Sequence, residues 1–173
     1  MTKKSLRLLI TTDCNFSCSY CCNNLPEIKE RFKLCTLDDI CNPEFTNQYS
    51  DICLTGGEPL LNIGLIKQLC EKLSDKHTIF LYTNGEFLTM TLLNYLSDIG
   101  ISKVNIGLHE NRIALYFAES SPFLLDSRIR FSVEDIHISN YLRVLETNYP
   151  GKFTIWRRNE CKGKNEDWYI LIT

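Results

Sequence analysis

The residues in this chain best equipped for chemistry are thiols. Cys14, Cys18, Cys21 and Cys22 fall within nine residues in the stretch TDCNFSCSYCCNN, Thr12–Asn24, and they are four of the nine cysteines in the sequence. Such a cluster serves cross-linking, redox exchange or metal binding. Cross-linking is disfavoured, because a chain of 173 residues that is 44% hydrophobic buries an ordinary core without staples. The cysteines are also bunched near one end instead of spread as a framework, and their odd total agrees. The start MTKKSLRLLITT is basic, but its apolar run is brief and ends in polar residues, so it reads as neither a signal peptide nor a membrane span. The expected setting is the cytoplasm, where a tight group of reduced cysteines does metal or redox work.

Spacing narrows the choice. Cys14, Cys18 and Cys21 stand as C-x3-C-x2-C, three thiolates that one loop can turn towards a single point. Structural zinc wants four closed ligands, usually as two distant knuckles, and no second C-x2-C or H-x3-H pair follows. Cys35 and Cys41 are in principle available as a fourth ligand, but their spacing matches no knuckle. An iron-sulfur cube held by three thiolates keeps one iron open to bind something else, which suits chemistry better than scaffolding.

Three motifs in order then resemble the radical S-adenosylmethionine (radical SAM) enzymes. The family motif C-x3-C-x-aromatic-C is matched by Cys14-Asn15-Phe16-Ser17-Cys18-Ser19-Tyr20-Cys21. LTGGEPLLN, Leu54–Asn62, resembles the Gly-Gly-Glu-Pro motif that ends the second barrel strand, and LYTNGEFL, Leu81–Leu88, resembles the Thr-Asn-Gly that often ends the third.

Elements to position these motifs are legible without the resemblance. LRLLITT, DICLTGG, HTIFLYTNG, KVNIGLHE and RIRFSVED are short apolar runs closing in polar or glycine residues, the mark of strands. NIGLIKQLCEKLSD places Ile63, Ile66, Leu69, Cys70 and Leu73 at helical spacing, and TMTLLNYLSDIG ends at Gly100 as at a C-cap. Alternating strands and helices imply an α/β fold with parallel strands, whose active residues sit where strands end. NRIALYFAES and HISNYLRVLETNY read as further helices, GKFTIWRRNE and DWYILIT as strands that close in a hairpin through CKGKN, and Leu25–Ser50 as the most irregular region. The expectation is a shortened, open (β/α)6-type partial TIM barrel, a single domain over residues 1–173.

The resemblance implies roles. Cys14, Cys18 and Cys21 hold a 4Fe-4S cluster whose fourth iron is chelated by S-adenosylmethionine. Reductive cleavage then gives methionine and a 5'-deoxyadenosyl radical, which abstracts hydrogen from a substrate. Gly56 and Gly57 let backbone approach the methionine moiety, Glu58 fixes its ammonium, and Pro59 stiffens the turn. Phe16 and Tyr20 flank the cluster loop, Tyr20 near the adenine, and Thr83 and Asn84 complete the cofactor side. On the fourth strand family members often carry a serine and an acid in a segment like VNVSLD, whereas VNIGLHE has Gly107 and His109 there. Asn105, His109 and Glu110 are the candidates left for the ribose or substrate, and Arg128 and Arg130 for a carboxylate or phosphate.

Other residues carry plainer readings. Cys22, Cys35, Cys41, Cys53, Cys70 and Cys161 form no second close group and read as buried hydrophobes or incidental thiols. His77 and His137 read as structural or solvent-facing, and Trp156 and Trp168 as core of the closing strands. A net charge of -2 argues against a broad phosphate-binding surface, so nucleic acid and membrane partners are not expected. The family implies an electron donor such as flavodoxin or ferredoxin. A short, open barrel suits a peptide or protein substrate, and the run LRLLITTDCNFSCSYC resembles the molybdenum-cofactor cyclase and peptide-maturing members more than glycyl-radical activases or the deazaguanine synthase. The alternative from a different class is a non-catalytic zinc or iron-sulfur scaffold or redox sensor, with Cys22 or Cys35 as fourth ligand.

Overall fold

The structure, a computed structural model, describes residues 4–19, 21–108, 121–134, 140–156 and 166–172. Its frame is one sheet of eight strands: β1 (Lys4–Leu9), β2 (Phe32–Thr36), β3 (Tyr49–Thr55), β4 (Thr78–Thr83), β5 (Ile101–Gly107), β6 (Ile129–Glu134), β7 (Phe153–Trp156) and β8 (Glu166–Ile172). Their order is β2-β8-β1-β3-β4-β5-β6-β7, and every neighbouring pair is parallel. The six strands expected of the partial barrel are β1 and β3 to β7, contiguous and in sequence order.

Helices cross over between these strands. α4 (Ile63–Leu73) buries Leu65, Ile66, Leu69, Cys70 and Leu73 along one stripe and is capped by Asn62, whose side chain accepts from the Leu65 N–H. α5 (Met90–Asp98) is capped by Thr89, buries Leu93 and Leu96, and stops before Gly100. Shorter helices α1 (Pro26–Lys29), α2 (Leu37–Cys41), α3 (Pro43–Thr46) and α6 (Ser121–Leu125) join them, with α7 (Asn140–Asn148) inside the expected helix 137–149. The expected helix at 111–120 and the turn at 161–165 lie outside the described residues.

The strands alternate in character, and that alternation separates scaffold from site. Leu6, Leu8, Ile52, Leu54, Ile79, Leu81, Val104, Ile106, Ile129 and Phe131 are buried in the main core, which also takes in the buried stripes of α4 and α5. Each such side chain contributes about 1.5–3 kcal/mol by leaving water. The intervening residues, among them Ser5, Arg7, Asp51, Tyr82, Asn105 and Arg130, point to the opposite face. A closed barrel packs that face with branched apolar residues. Here it is polar, so it cannot collapse into a dry core.

Two expectations for the chain ends need correction. The closing hairpin does not form: β7 lies beside β6 at one edge, and β8 inserts parallel between β1 and β2 near the other. The reason lies in β8's first residues. Glu166 pairs with Arg7 of β1, and Trp168 is buried with Leu9 and Ile28 in a second small core under α1. The segment read as irregular supplies β2, an amphipathic edge strand with Cys35 buried and Leu34 66% exposed. Among the described residues no helix is long and apolar enough to cross a membrane.

Candidate active site

The cysteine loop follows β1, and the turn Gly56–Pro59 follows the adjacent β3, so parallel pairing brings both to one end of the sheet. They are joined backbone to backbone. The Gly57 N–H donates to the Thr11 carbonyl at 2.8 Å and the Glu58 N–H to the Asp13 carbonyl at 2.7 Å. This approach leaves no room for side chains: a β-carbon on Gly56 would stand 2.3 Å from the Thr11 oxygen, at a φ of +154° that other residues avoid. Asn23, just past the last motif cysteine, donates to the Gly56 carbonyl at 2.6 Å. The close approach for which both glycines are needed is therefore to the cysteine loop itself.

Glu58 braces the same turn. Its carboxylate is fully buried, with Oε1 accepting from the Thr83 hydroxyl at 2.6 Å and the Leu60 N–H at 2.9 Å, and Oε2 from the Asn84 N–H at 2.8 Å. Burial pushes the carboxyl up from its ordinary value, while these three hydrogen bonds pull it back down. Asn84 also reaches the cysteine loop, its amide donating to the Asn15 side-chain oxygen at 2.8 Å. One carboxylate and one amide thus tie the ends of β1, β3 and β4 into a single rim.

On that rim Cys14 is exposed and Cys18 and Cys21 are half-buried, none of the three joined in a disulfide. The loop turns through Cys21 N–H to Cys18 carbonyl and Phe16 N–H to Cys14 sulfur contacts, at 3.2 and 3.4 Å. Among the described residues no three His, Cys, Asp or Glu side chains are already gathered as a metal site. Cys35 is not a fourth ligand. It is buried in the main core, its thiol donates to the Ile170 carbonyl, and burial lifts it to about 11.

Below the rim, the polar face of the sheet holds a cavity of about 240 Å3. Ser5, Asp51, Tyr82, Asn105, Arg130 and Thr154 line it. Glu166 closes one wall, bound by Arg7 through two hydrogen bonds of 2.8 and 3.1 Å. The Arg7 guanidinium also lies over the Tyr82 ring at 4.5 Å and the Trp168 ring at 5.0 Å. Burial works foremost against its charge, but Glu166 together with Tyr82 and Cys53 outweighs it and Arg7 is held protonated.

The structure brings Cys14, Cys18, Cys21, Phe16, Gly56, Gly57, Glu58, Pro59, Thr83 and Asn84 to the strand ends, and Asn105 to the cavity. Tyr20, His109 and Glu110 lie outside the described residues, and nothing is described of the Cys22 side chain. Arg128 and Arg130 do not share a role. β6 begins at Ile129, and Arg128, just before it, is bound by Asp126 and Asn94. Sequence reasoning missed Asn15, Asn23 and Arg7. Asparagines in a loop carry no signal of their partners, whereas an arginine inside the apolar run LRLLI is a signal for a paired charge.

A family profile described as a 4Fe-4S single cluster domain matches residues 5–102, more than half of the chain. The chain belongs to this family. It is a member of the radical SAM superfamily, whose enzymes pair a 4Fe-4S cluster with S-adenosylmethionine. Similar curated proteins include the GTP 3',8-cyclases of Rhizobium etli, 34% identical over 111 residues, and of Helicobacter pylori, 33% identical over 111 residues. Each match takes in 60% of this chain but 31% and 34% of those proteins, so this radical SAM chain corresponds to about a third of their length. In fold it is similar to BtrN in complex with AdoMet and 2-DOIA, with a TM-score of 0.50 and 18% identity over 98% of this chain and 57% of that one. Streptococcus suis SuiB bound to S-adenosylmethionine gives a TM-score of 0.50 at 14% identity over 97% of this chain and 47% of SuiB.

Proposed function

We propose that Cys14, Cys18 and Cys21 hold the 4Fe-4S cluster, that S-adenosylmethionine binds between it and the Gly56–Pro59 turn, and that a substrate in the polar cavity loses a hydrogen atom. Peptides or proteins are the substrate class that an open sheet admits. The observation that carries this is the pair of backbone bonds from Gly57 and Glu58 to Thr11 and Asp13, which fixes the turn in register with the cysteine loop.

The donor set fits the cluster. Three thiols on one loop outside any disulfide, with Cys35 turned away into the core, would leave a cube one corner open. Holding the cluster would bring the three thiols together, and its binding energy would add to the order of the loop. When bound, the cluster supplies the electron that splits the cofactor into methionine and the 5'-deoxyadenosyl radical, drawn from a donor of the flavodoxin or ferredoxin type.

The protein's own residues position and enclose. Asn15, held by Asn84, sets the loop between Cys14 and Cys18, and Asn23 holds the far side of the motif to Gly56. Glu58 keeps the two strand ends together, and any contact it makes with the cofactor ammonium falls to Oε2, which accepts one N–H where Oε1 accepts two donors. The test is anaerobic reconstitution with iron and sulfide. Wild-type chain should gain the visible absorbance of a cluster and bind S-adenosylmethionine by calorimetry, and Cys18→Ala should gain neither. A cluster retained in Cys18→Ala would show that the ligands are others.

A further inference from the structure

We propose that the cavity beneath the rim is an oxyanion subsite in which Arg130 holds a single carboxylate or phosphate group of the substrate. This rests on the radical SAM reading for its purpose, though not for its test.

Four observations converge on Arg130. It lines the cavity from the second residue of β6, and it makes no hydrogen bond or ion pair among the described residues. The other described arginines on the sheet and its turns are committed, Arg7 to the Glu166 carboxylate, Arg31 to the Glu166 carbonyl and Arg128 to Asp126. A guanidinium offers a fork of donors shaped for two oxygens of one oxyanion.

Next, its charge is reinforced. Burial foremost lowers the Lys152 ammonium from its ordinary value, Asp126 raises it, and Arg130 and Lys103 add to the lowering, so Arg130 and Lys103 each lie within electrostatic reach of Lys152. A positive wall of this kind is local, since the whole chain carries -2.

Third, Asn105, Thr154 and Ser5 line the same cavity and offer neutral donors for remaining oxygens. Register sets Asn105 directly beside Arg130 across β5 and β6, and Thr154 beside Ser132, two residues farther along β6 on the same face.

Last, the acids present limit the charge the site accepts. Glu166 is neutralised by Arg7, but Asp51 takes only the Ser50 hydroxyl among the described residues, at 3.0 Å. A second acidic group on the ligand would face the Asp51 carboxylate. One oxyanion fits. Ser5, Arg130 and Thr154 stand at the amino-terminal ends of their strands, where Arg130 and Thr154 are exposed, so the acidic group would sit at the end of the sheet away from the cysteines.

The experiment uses the full chain loaded with the oxidised cluster, without S-adenosylmethionine. Inorganic phosphate and acetate are titrated separately, against chloride at equal ionic strength, while proton-nitrogen spectra follow the Arg130 Nε–H and the Asn105 amide. Saturable shifts at both groups are expected, with the tighter of the two probes naming the source as phosphate or carboxylate. Arg130→Met should weaken binding about tenfold or more, Arg130→Lys less, and Arg143→Met on the exposed face of α7 not at all. Shifts no different from those with chloride, or saturation retained in Arg130→Met, would overturn the subsite. Either result leaves the cofactor chemistry to be judged separately by cleavage of S-adenosylmethionine.

Discussion

The carbonyl oxygen of Asp13 lies 2.1 Å from where a β-carbon on Gly57 would stand, and the neighbouring Glu58 N–H donates to that same oxygen at 2.7 Å. Both atoms are backbone, so no side chain can swing away to make room. Gly57→Ala must part the turn from the cysteine loop or break the Glu58 bond. The expected result is a chain that folds with a lowered Tm and, after reconstitution, retains well under half the wild-type iron. Full iron loading in a stable Gly57→Ala protein would show that the two loops are not coupled.

Glu58 joins the ends of β3 and β4 through three donors that are otherwise buried without partners. Removing the acceptor leaves all three donors unpaired, whereas an amide in its place keeps an oxygen for two of them. Glu58→Ala should therefore cost about 3 kcal/mol or more in urea unfolding, and Glu58→Gln distinctly less. Equal losses for both would mean that charge, not hydrogen bonding, is what the site requires.

How much of this was legible in the sequence varies by element. The apolar runs of β1, β3, β4, β5 and β6 announce themselves, because one face of each packs into the main core with Leu6, Ile52, Ile79, Val104 and Ile129. β2 does not. It is an edge strand whose Lys33 and Leu34 are exposed, and nothing local distinguishes FKLCT from a loop. Adjacency along the chain favours a hairpin between β7 and β8, but the partner that holds β8, Arg7 to Glu166, spans 159 positions and carries no local signal. At the candidate site, motif spacing picked out the cysteines and Gly-Gly-Glu-Pro, which the structure brings to neighbouring strand ends. It did not reveal that the glycines face the cysteine loop, since that contact exists only once β1 and β3 are paired.

Asn15 and Asn84 test whether the clamp serves the cluster and not the fold. The hydrogen bond between their side chains lies at the rim, away from the main core. Asn84→Ala also removes the bond its side-chain oxygen accepts from the Glu86 N–H at 3.0 Å, so it should cost about 2 kcal/mol for two lost hydrogen bonds, and should release iron to a chelator several times faster than wild type. Iron release at the wild-type rate would assign Asn84 to the turn alone.

The Arg7 and Glu166 pair sets the wall of the cavity and the place of β8 together. Arg7→Met strands a carboxylate in a largely enclosed place and should destabilise by about 3 kcal/mol, while the double variant Arg7→Met with Glu166→Gln should recover most of the loss. Additive losses, measured by urea unfolding of all three variants, would show that the pair does not hold β8 in the sheet.

On the proposed reading, the cysteine loop and the Gly56–Pro59 turn together hold a cluster at which S-adenosylmethionine is cleaved. The most direct measurement is made without oxygen: the reconstituted chain is reduced with dithionite, S-adenosylmethionine is added without substrate, and the mixture is read by mass spectrometry. Formation of 5'-deoxyadenosine and methionine by the wild type, and not by Cys18→Ala, is the expected result. A fully loaded cluster that leaves the cofactor intact would contradict the claim and make the chain a binding or sensing module on a radical SAM fold.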